Sequence, residues 1–315
     1  VKEFNLIQRH FTPPTTSADT LLGVGDDAAI IQPPPHQTLA ICVDTLVAGV
    51  HFPEDTHPRD IGHKALAVNL SDLAAMAATP RWATLALTLP EHDDTWLTAF
   101  AEGFHALARE HGVDLVGGDT TRGPLTITVQ ALGYLPPGQA LRRDGAQPGD
   151  HILVTGTLGD AALALEQWDH PHPDSTLRAR LTRPTPRIAA GHILRGRAHA
   201  GIDISDGLVQ DLGHVLKASG VGATLQAGAL PLSDAFRGAM GDTTHWRLPL
   251  AGGDDYELLF TLAEADMEPI CQQLAEQGCP ATVIGRIEAE PGLRILGPDG
   301  APLTLEQGGY SHFGD

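Results

Sequence analysis

Lysine is almost missing from this chain of 315 residues: Lys2, Lys64 and Lys217 are the only ones. None follows a glycine, so there is no G-x-x-x-x-G-K-[ST] phosphate loop, and a nucleotide must be held by other means. H-E-x-x-H and G-x-S-x-G are absent too, which removes the common zinc-hydrolase and serine-hydrolase readings. Aromatic residues make up only 5%, so aliphatic side chains and alanine must fill the interior. No apolar run approaches the ~18–20 residues of a membrane span. The opening residues, Val1-Lys2-Glu3-Phe4-Asn5, lack the charged-then-apolar pattern of an export signal. Three cysteines, Cys42, Cys271 and Cys279, form no C-x-x-C pair, which fits a reduced, cytoplasmic protein. Positive charge is scarce overall. The formal net charge of −19 opposes binding to nucleic acid or to an anionic membrane, and it also serves solubility.

What the chain has instead is aspartate beside glycine or after short apolar runs. Gly25-Asp26-Asp27 follows Gly23-Val24, and Asp44 follows Leu39–Val43. Asp119 follows Gly117-Gly118, Asp203-Ile204-Ser205-Asp206 follows Gly201-Ile202, and Asp254-Asp255 follows Gly252-Gly253. A carboxylate at a strand end, next to glycines, is placed to hold a hard cation through oxygen. Five such places in one chain point to several Mg²⁺ ions around a polyphosphate. Gly23–Ala28 also fits G-x-G-x-x-[GA], but two carboxylates in that turn would repel a pyrophosphate unless cations intervene. Asp72 falls on an apolar helix, where it is costly unless paired or metal-bound, or else lies on the polar stripe. Ser205 reads as the cap of a helix starting there. Arg143 suits phosphate or a solvated linker equally, and His51 alone is a loop histidine. His170-Pro171-His172-Pro173 reads as an exposed loop.

Periodicity gives helices over Pro58–Ala78 (ended by Pro80), Thr95–His111, Asp160–Trp168, Thr176–Thr182, Arg187–Arg195, Ser205–Ser219 and Glu264–Gln277. Strands are expected at Leu39–Val43, Trp82–Leu89, Val113–Val116, Leu125–Leu135, His151–Thr155, Gly201–Ile204, Tyr256–Leu262 and Thr282–Ile287. Helices and strands mix in both halves, so the class is α/β or α+β. Pro136-Pro137-Gly138 and Pro148-Gly149-Asp150 bracket an inter-domain stretch, giving domains 1–137 and 149–315 with a linker at about 138–148.

Taken together, Gly23–Ala28, Asp44–Phe52, Lys64–Met76, Gly117–Gly123, Asp203–Gly207, Ser219–Ala223 and Gly252–Leu258 resemble the thiamine-monophosphate kinase family over nearly the whole chain. The wider superfamily includes aminoimidazole ribonucleotide synthetase and selenophosphate synthetase. The resemblance implies a two-domain aminoimidazole ribonucleotide synthetase-like fold and a homodimer. N-terminal sheets of two subunits would join in a barrel-like core, flanked by a C-terminal α/β domain. It implies ATP-dependent, Mg²⁺-assisted phosphorylation of thiamine monophosphate to thiamine diphosphate. Asp27, Asp44, Asp72, Asp119, Asp203 and Asp206 would then be metal ligands. Gly118, Asp119, Arg143 and Ser205 would contact ATP, and His51, Asp254 and Tyr310 the acceptor. Two departures stand out: Cys42-Val43 replaces the family's Ser-Thr, and Asp254 replaces its Glu, one methylene longer. A non-catalytic maturation factor on the same fold, or a selenophosphate synthetase-like enzyme, is the alternative. The second would carry a reactive Cys and Lys in a Gly-rich N-terminal segment, and no Cys precedes Gly23.

Overall fold

The computed structural model describes residues 3–12, 17–240, 246–305 and 308–310. The chain forms two compact units, one of Val1–Leu73 with Ala78–Gly138, the other of Ala74–Ala77 with Gln139–Asp315.

The first unit contains α1 (Glu3–His10), β1 (Thr20–Leu22), β2 (Ile30–Ile31), β3 (Thr38–Val47), α2 (Pro58–Ala75), β4 (Thr79–Leu89), α3 (Asp94–Glu110), β5 (Asp114–Arg122) and β6 (Thr126–Leu135). Its main sheet has the order β3-β6-β4-β5, so β3 and β5 are the edges. β6 runs antiparallel to β3 and β4, and β5 parallel to β4. Helix α2 is buried nearly all round, through Ile61, Leu66, Val68, Leu70 and Leu73. Asp93 caps α3, its side chain accepting from the N–H groups of Thr95 and Trp96.

The expected end of α2 fails. The helix stops at Ala75, short of Ala78 and well before Pro80, and Met76 just beyond it is exposed. Ala77, left-handed at φ 57°, ends it: its N–H reaches Ala74 O at 2.9 Å and the Ala78 N–H reaches Leu73 O at 2.8 Å. This is the Schellman pattern, usually signalled by glycine. Pro80 lies in the bulged start of β4 instead.

The second unit contains β7 (His151–Thr155), α4 (Asp160–Glu166), α5 (Ser175–Thr182), α6 (Ile188–Leu194), β8 (Ala200–Asp203), α7 (Leu208–Ser219), β9 (Gly222–Gln226), α8 (Asp234–Met240), α9 (Arg247–Ala251), β10 (Leu258–Leu262), α10 (Glu264–Glu276), β11 (Ala281–Glu288) and β12 (Gly292–Leu296). Its sheet has the order β12-β9-β11-β7-β10-β8, antiparallel except for β12 with β9. Ile152, Val154, Ile202, Leu212, Val215 and Leu259 join its core. β10 is buried along its whole length, which is why it reads as a continuous apolar run. No helix among the described residues is long and apolar enough to cross a membrane.

Candidate functional site

In the first unit a cavity of about 620 Å³ is lined by the Gly25–Ala29 turn, by Thr84 and Leu85 of β4 and by Gly117–Thr120 of β5. It gathers Asp26, Asp27, Gly118 and Asp119. A side chain at Gly118 is impossible, because a Cβ there would lie 1.9 Å from Leu85 O. Only glycine lets the backbone run this close to β4 at the cavity wall. Asp119 is exposed, and its Oδ1 accepts from the Thr120 N–H at 2.9 Å. It is not at a strand end: β5 continues to Arg122.

Asp44 is likewise inside a strand, paired with Val129 midway along β3. It does not line the cavity. Asp44 and Asp119 sit on opposite edges of the four-stranded sheet. Three strand spacings of about 4.8 Å separate them by roughly 14 Å, too far to share one cation. Asp72, half-buried on α2, groups with Asp44 instead. Burial pushes the Cys42 thiol up, and the charges of Asp72 and Asp44 push it further, so both carboxylates stand near that sulfur. Cys42 Sγ also reaches Asn69 O at 3.3 Å. His51 closes the turn after β3. Its Nδ1 accepts from the Val47 N–H at 2.9 Å, which places the ring proton on Nε2, and Lys64 Nζ donates to its carbonyl at 3.1 Å.

In the second unit three segments meet. Asp203 ends β8 and is buried, and α7 begins only at Leu208. Ser205 is therefore not the helix cap that the sequence predicts. Gly207 holds the cap position and makes no side-chain bond. Asp211, one turn inside α7, reaches back, its Oδ2 accepting from the N–H groups of Ser205, Asp206 and Gly207 at 3.0, 3.1 and 3.1 Å. Burial, with the charges of Asp203 and Asp206, pushes the Asp211 carboxyl up to about 7. The Asp206 carbonyl accepts from the Tyr310 N–H at 3.1 Å, and Gln210 Nε2 donates to both Asp206 Oδ2 and Tyr310 O at 3.0 Å. The Asp254 N–H donates to Ser205 O at 2.9 Å, and a Cβ on Gly253 would lie 2.4 Å from that oxygen. Asp203, Ser205, Asp206, Asp254 and Tyr310 thus form one neighbourhood. Arg143 is exposed, and its carbonyl accepts from Ser219 Oγ at 2.9 Å.

The donors are all oxygen and are crowded by like charge around Cys42 and around Asp211, which suits a hard divalent cation. Among the described residues, no three His, Cys, Asp or Glu side chains already converge as a ligand cluster. Asp26, part of the Gly25-Asp26-Asp27 run singled out in the sequence but not of the ligand set that the resemblance implies, lines the cavity as well. Gln210 and Asp211 belong to the second neighbourhood, and nothing in local spacing marks them.

Two models of the AIR synthase related protein family match the chain, the N-terminal domain over residues 25–135 and the C-terminal domain over 147–297. The thiamine-monophosphate kinase of Salmonella typhimurium is 49% identical over 319 residues, covering 99% of this chain and 98% of that protein. The chain belongs to the thiamine-monophosphate kinase family. The crystal structure of the Stenotrophomonas maltophilia K279a thiamine-monophosphate kinase, 48% identical, superimposes with a TM-score of 0.88 over 95% of this chain and 97% of that one. AaThiL, solved in complex with AMPPCP and TMP, is 33% identical with a TM-score of 0.78 over 92% of each chain. Kinship this close and this complete sets aside the selenophosphate synthetase and maturation-factor readings of the same fold.

Proposed function

We propose that this thiamine-monophosphate kinase family member transfers the γ-phosphoryl group of ATP directly to the phosphate of thiamine monophosphate, giving thiamine diphosphate and ADP. The observation that carries this reading is 49% identity to a thiamine-monophosphate kinase along 99% of the chain. The acceptor is a phosphate monoester, largely ionised near neutral pH, and it needs no strong general base. Catalysis is then alignment of two phosphates plus neutralisation of their charge. Mg²⁺, when bound, supplies the bridging and the neutralisation. The N-terminal unit would hold such ions at two separate places, one through Asp27 and Asp119 and one through Asp44 and Asp72, and the C-terminal unit through Asp203 and Asp206. The Gly118 backbone, Arg143 and Ser205 contact ATP; His51, Asp254 and Tyr310 contact the acceptor.

The working form is a homodimer. Edge strand β3 leaves Leu39, Ile41 and Val43 at 40, 57 and 58% exposure, an apolar stripe on alternate residues. A second copy would cover it and extend the sheet into a barrel-like core. The wide separation of Asp44 from Asp119 fits the same reading, since β3 of one copy could serve the cation site of its partner. Three unpaired thiols accord with a cytoplasmic setting.

Acceptor choice tests the assignment. Thiamine offers a hydroxyl that must lose its proton, and no side chain here is assigned that task. The protein should therefore phosphorylate thiamine monophosphate and not thiamine. Tyr310 is 45% exposed beside Asp206, and in this reading its ring stacks on the thiamine ring. Tyr310→Ala should raise KM for thiamine monophosphate more than KM for ATP, by about five- to tenfold for one lost aromatic contact. Equal effects on both substrates, or comparable turnover of free thiamine, would refute the acceptor assignment.

A further inference from the structure

The turn between α9 and β10 carries two left-handed residues that are not glycine, Asp254 at φ 66° and Tyr256 at φ 50°. A bulky aromatic in that region is a backbone outlier and persists only where its surroundings hold it. Contacts on two sides do so. On one side, the N–H groups of Asp254 and Tyr256 donate to Ser205 O and Ile204 O at 2.9 and 2.8 Å. The Ile204 N–H returns a bond to Glu257 O at 2.8 Å. On the other side, the fully buried Glu257 carboxylate accepts from Thr155 Oγ1 at 2.6 Å, Arg180 Nη2 at 2.7 Å and Arg187 Nε at 2.7 Å. Buried Asp255 accepts from the Gly159 N–H at 2.9 Å.

The consequence is a division of side chains. Asp255 and Glu257 anchor the turn in the interior. Asp254 and Tyr256 meet each other, the Tyr256 hydroxyl donating to Asp254 Oδ1 at 3.0 Å. The Tyr256 ring is buried, at 8% exposure, so a phenylalanine would pack the same space. What the hydroxyl adds is a fixed carboxylate. A hydrogen bond to one oxygen sets the Asp254 side-chain torsions and leaves the second oxygen a single direction. Aspartate is one methylene shorter than glutamate, so its reach depends more on that direction.

We propose that Tyr256 is a positioning residue for the acceptor: its hydroxyl orients the Asp254 carboxylate toward the thiamine monophosphate, within a turn locked by the Arg180–Glu257–Arg187 bridge. The inference rests on the reading of Asp254 as an acceptor contact. Steady-state kinetics of Tyr256→Phe, Asp254→Asn and the double variant test it. Tyr256→Phe should raise KM for thiamine monophosphate about tenfold, the scale of one hydrogen bond to a charged group, with KM for ATP and Tm unchanged. In the Asp254→Asn background the same change should have almost no further effect, because the group it acts through is gone. An unchanged acceptor KM in Tyr256→Phe, an equal rise in KM for ATP, or the same fold-change in both backgrounds would overturn the proposal. If Asp254→Asn itself leaves the acceptor KM unchanged, the assignment of Asp254 fails and the proposal with it, an outcome distinct from failure of Tyr256 alone.

Discussion

Asp119→Asn should lower turnover about 10²–10³-fold, the usual loss when one electrostatic contact to a transferring group is removed. The fold should hardly notice. Asp119 is exposed, its side chain accepts from the Thr120 N–H, and an asparagine oxygen can accept that bond equally well. A stability change within about 0.5 kcal/mol is therefore expected. The carboxylate is poised where Gly118 brings β5 hard against β4 at the wall of the cavity that also holds Asp27. Turnover and urea midpoint, measured on one preparation, check both halves. Near wild-type turnover would reduce Asp119 to a surface residue.

Glu257→Gln should have a different profile, a large loss of stability at a fully buried position. Glu257 is fully buried between Arg180 and Arg187, whose side chains are 18% and 16% exposed. Burial acts to lower the Arg187 guanidinium, and the charge of Glu257 together with its hydrogen bonds to Arg187 more than offsets it. Burial also pushes the Asp255 carboxyl well above the usual carboxylate range, despite the opposing charge of Arg180. Glu257 and Asp160 both face the arginines, Arg180 Nε lying 3.7 Å from Asp160 Oδ2. Glutamine keeps the shape and strands one guanidinium charge in the interior. Breaking a buried pair in this way costs about 3–5 kcal/mol. For a unit of this size, that lowers Tm by roughly 10 °C. Thermal melts decide it: a shift of a degree or two would mean that water or another group already neutralises the arginines.

The sequence was most legible where one element reports on itself. β7 falls at His151–Thr155 as periodicity places it, and α3 and α10 are within a residue of expectation. Ends set by unusual backbone were hidden. Ala77 does the work expected of glycine, and left-handed Tyr256 delays β10 to Leu258 where its composition reads as strand. α7 starts late because Asp211 ties down the backbone ahead of it from within the helix. β9 and β12 were missed because strands of only five residues that open on a glycine, Gly222–Gln226 and Gly292–Leu296, carry little pattern of their own. The candidate aspartates were visible as residues but not as geometry. Strand order puts Asp44 and Asp119 at opposite edges of a sheet, and no local spacing encodes strand order. The partners of Glu257 lie 70 to 102 residues away in the chain, so its anchoring role had no local signature.

Incubating the purified protein with ATP, thiamine monophosphate and excess Mg²⁺, and separating the products by chromatography, is the most direct measurement. Thiamine diphosphate and ADP should appear in equal amounts, with Mg²⁺ required beyond what saturates ATP, and both should vanish when chelator exceeds total divalent cation. ADP without thiamine diphosphate, or undiminished product in excess chelator, would contradict a metal-assisted transfer to thiamine monophosphate.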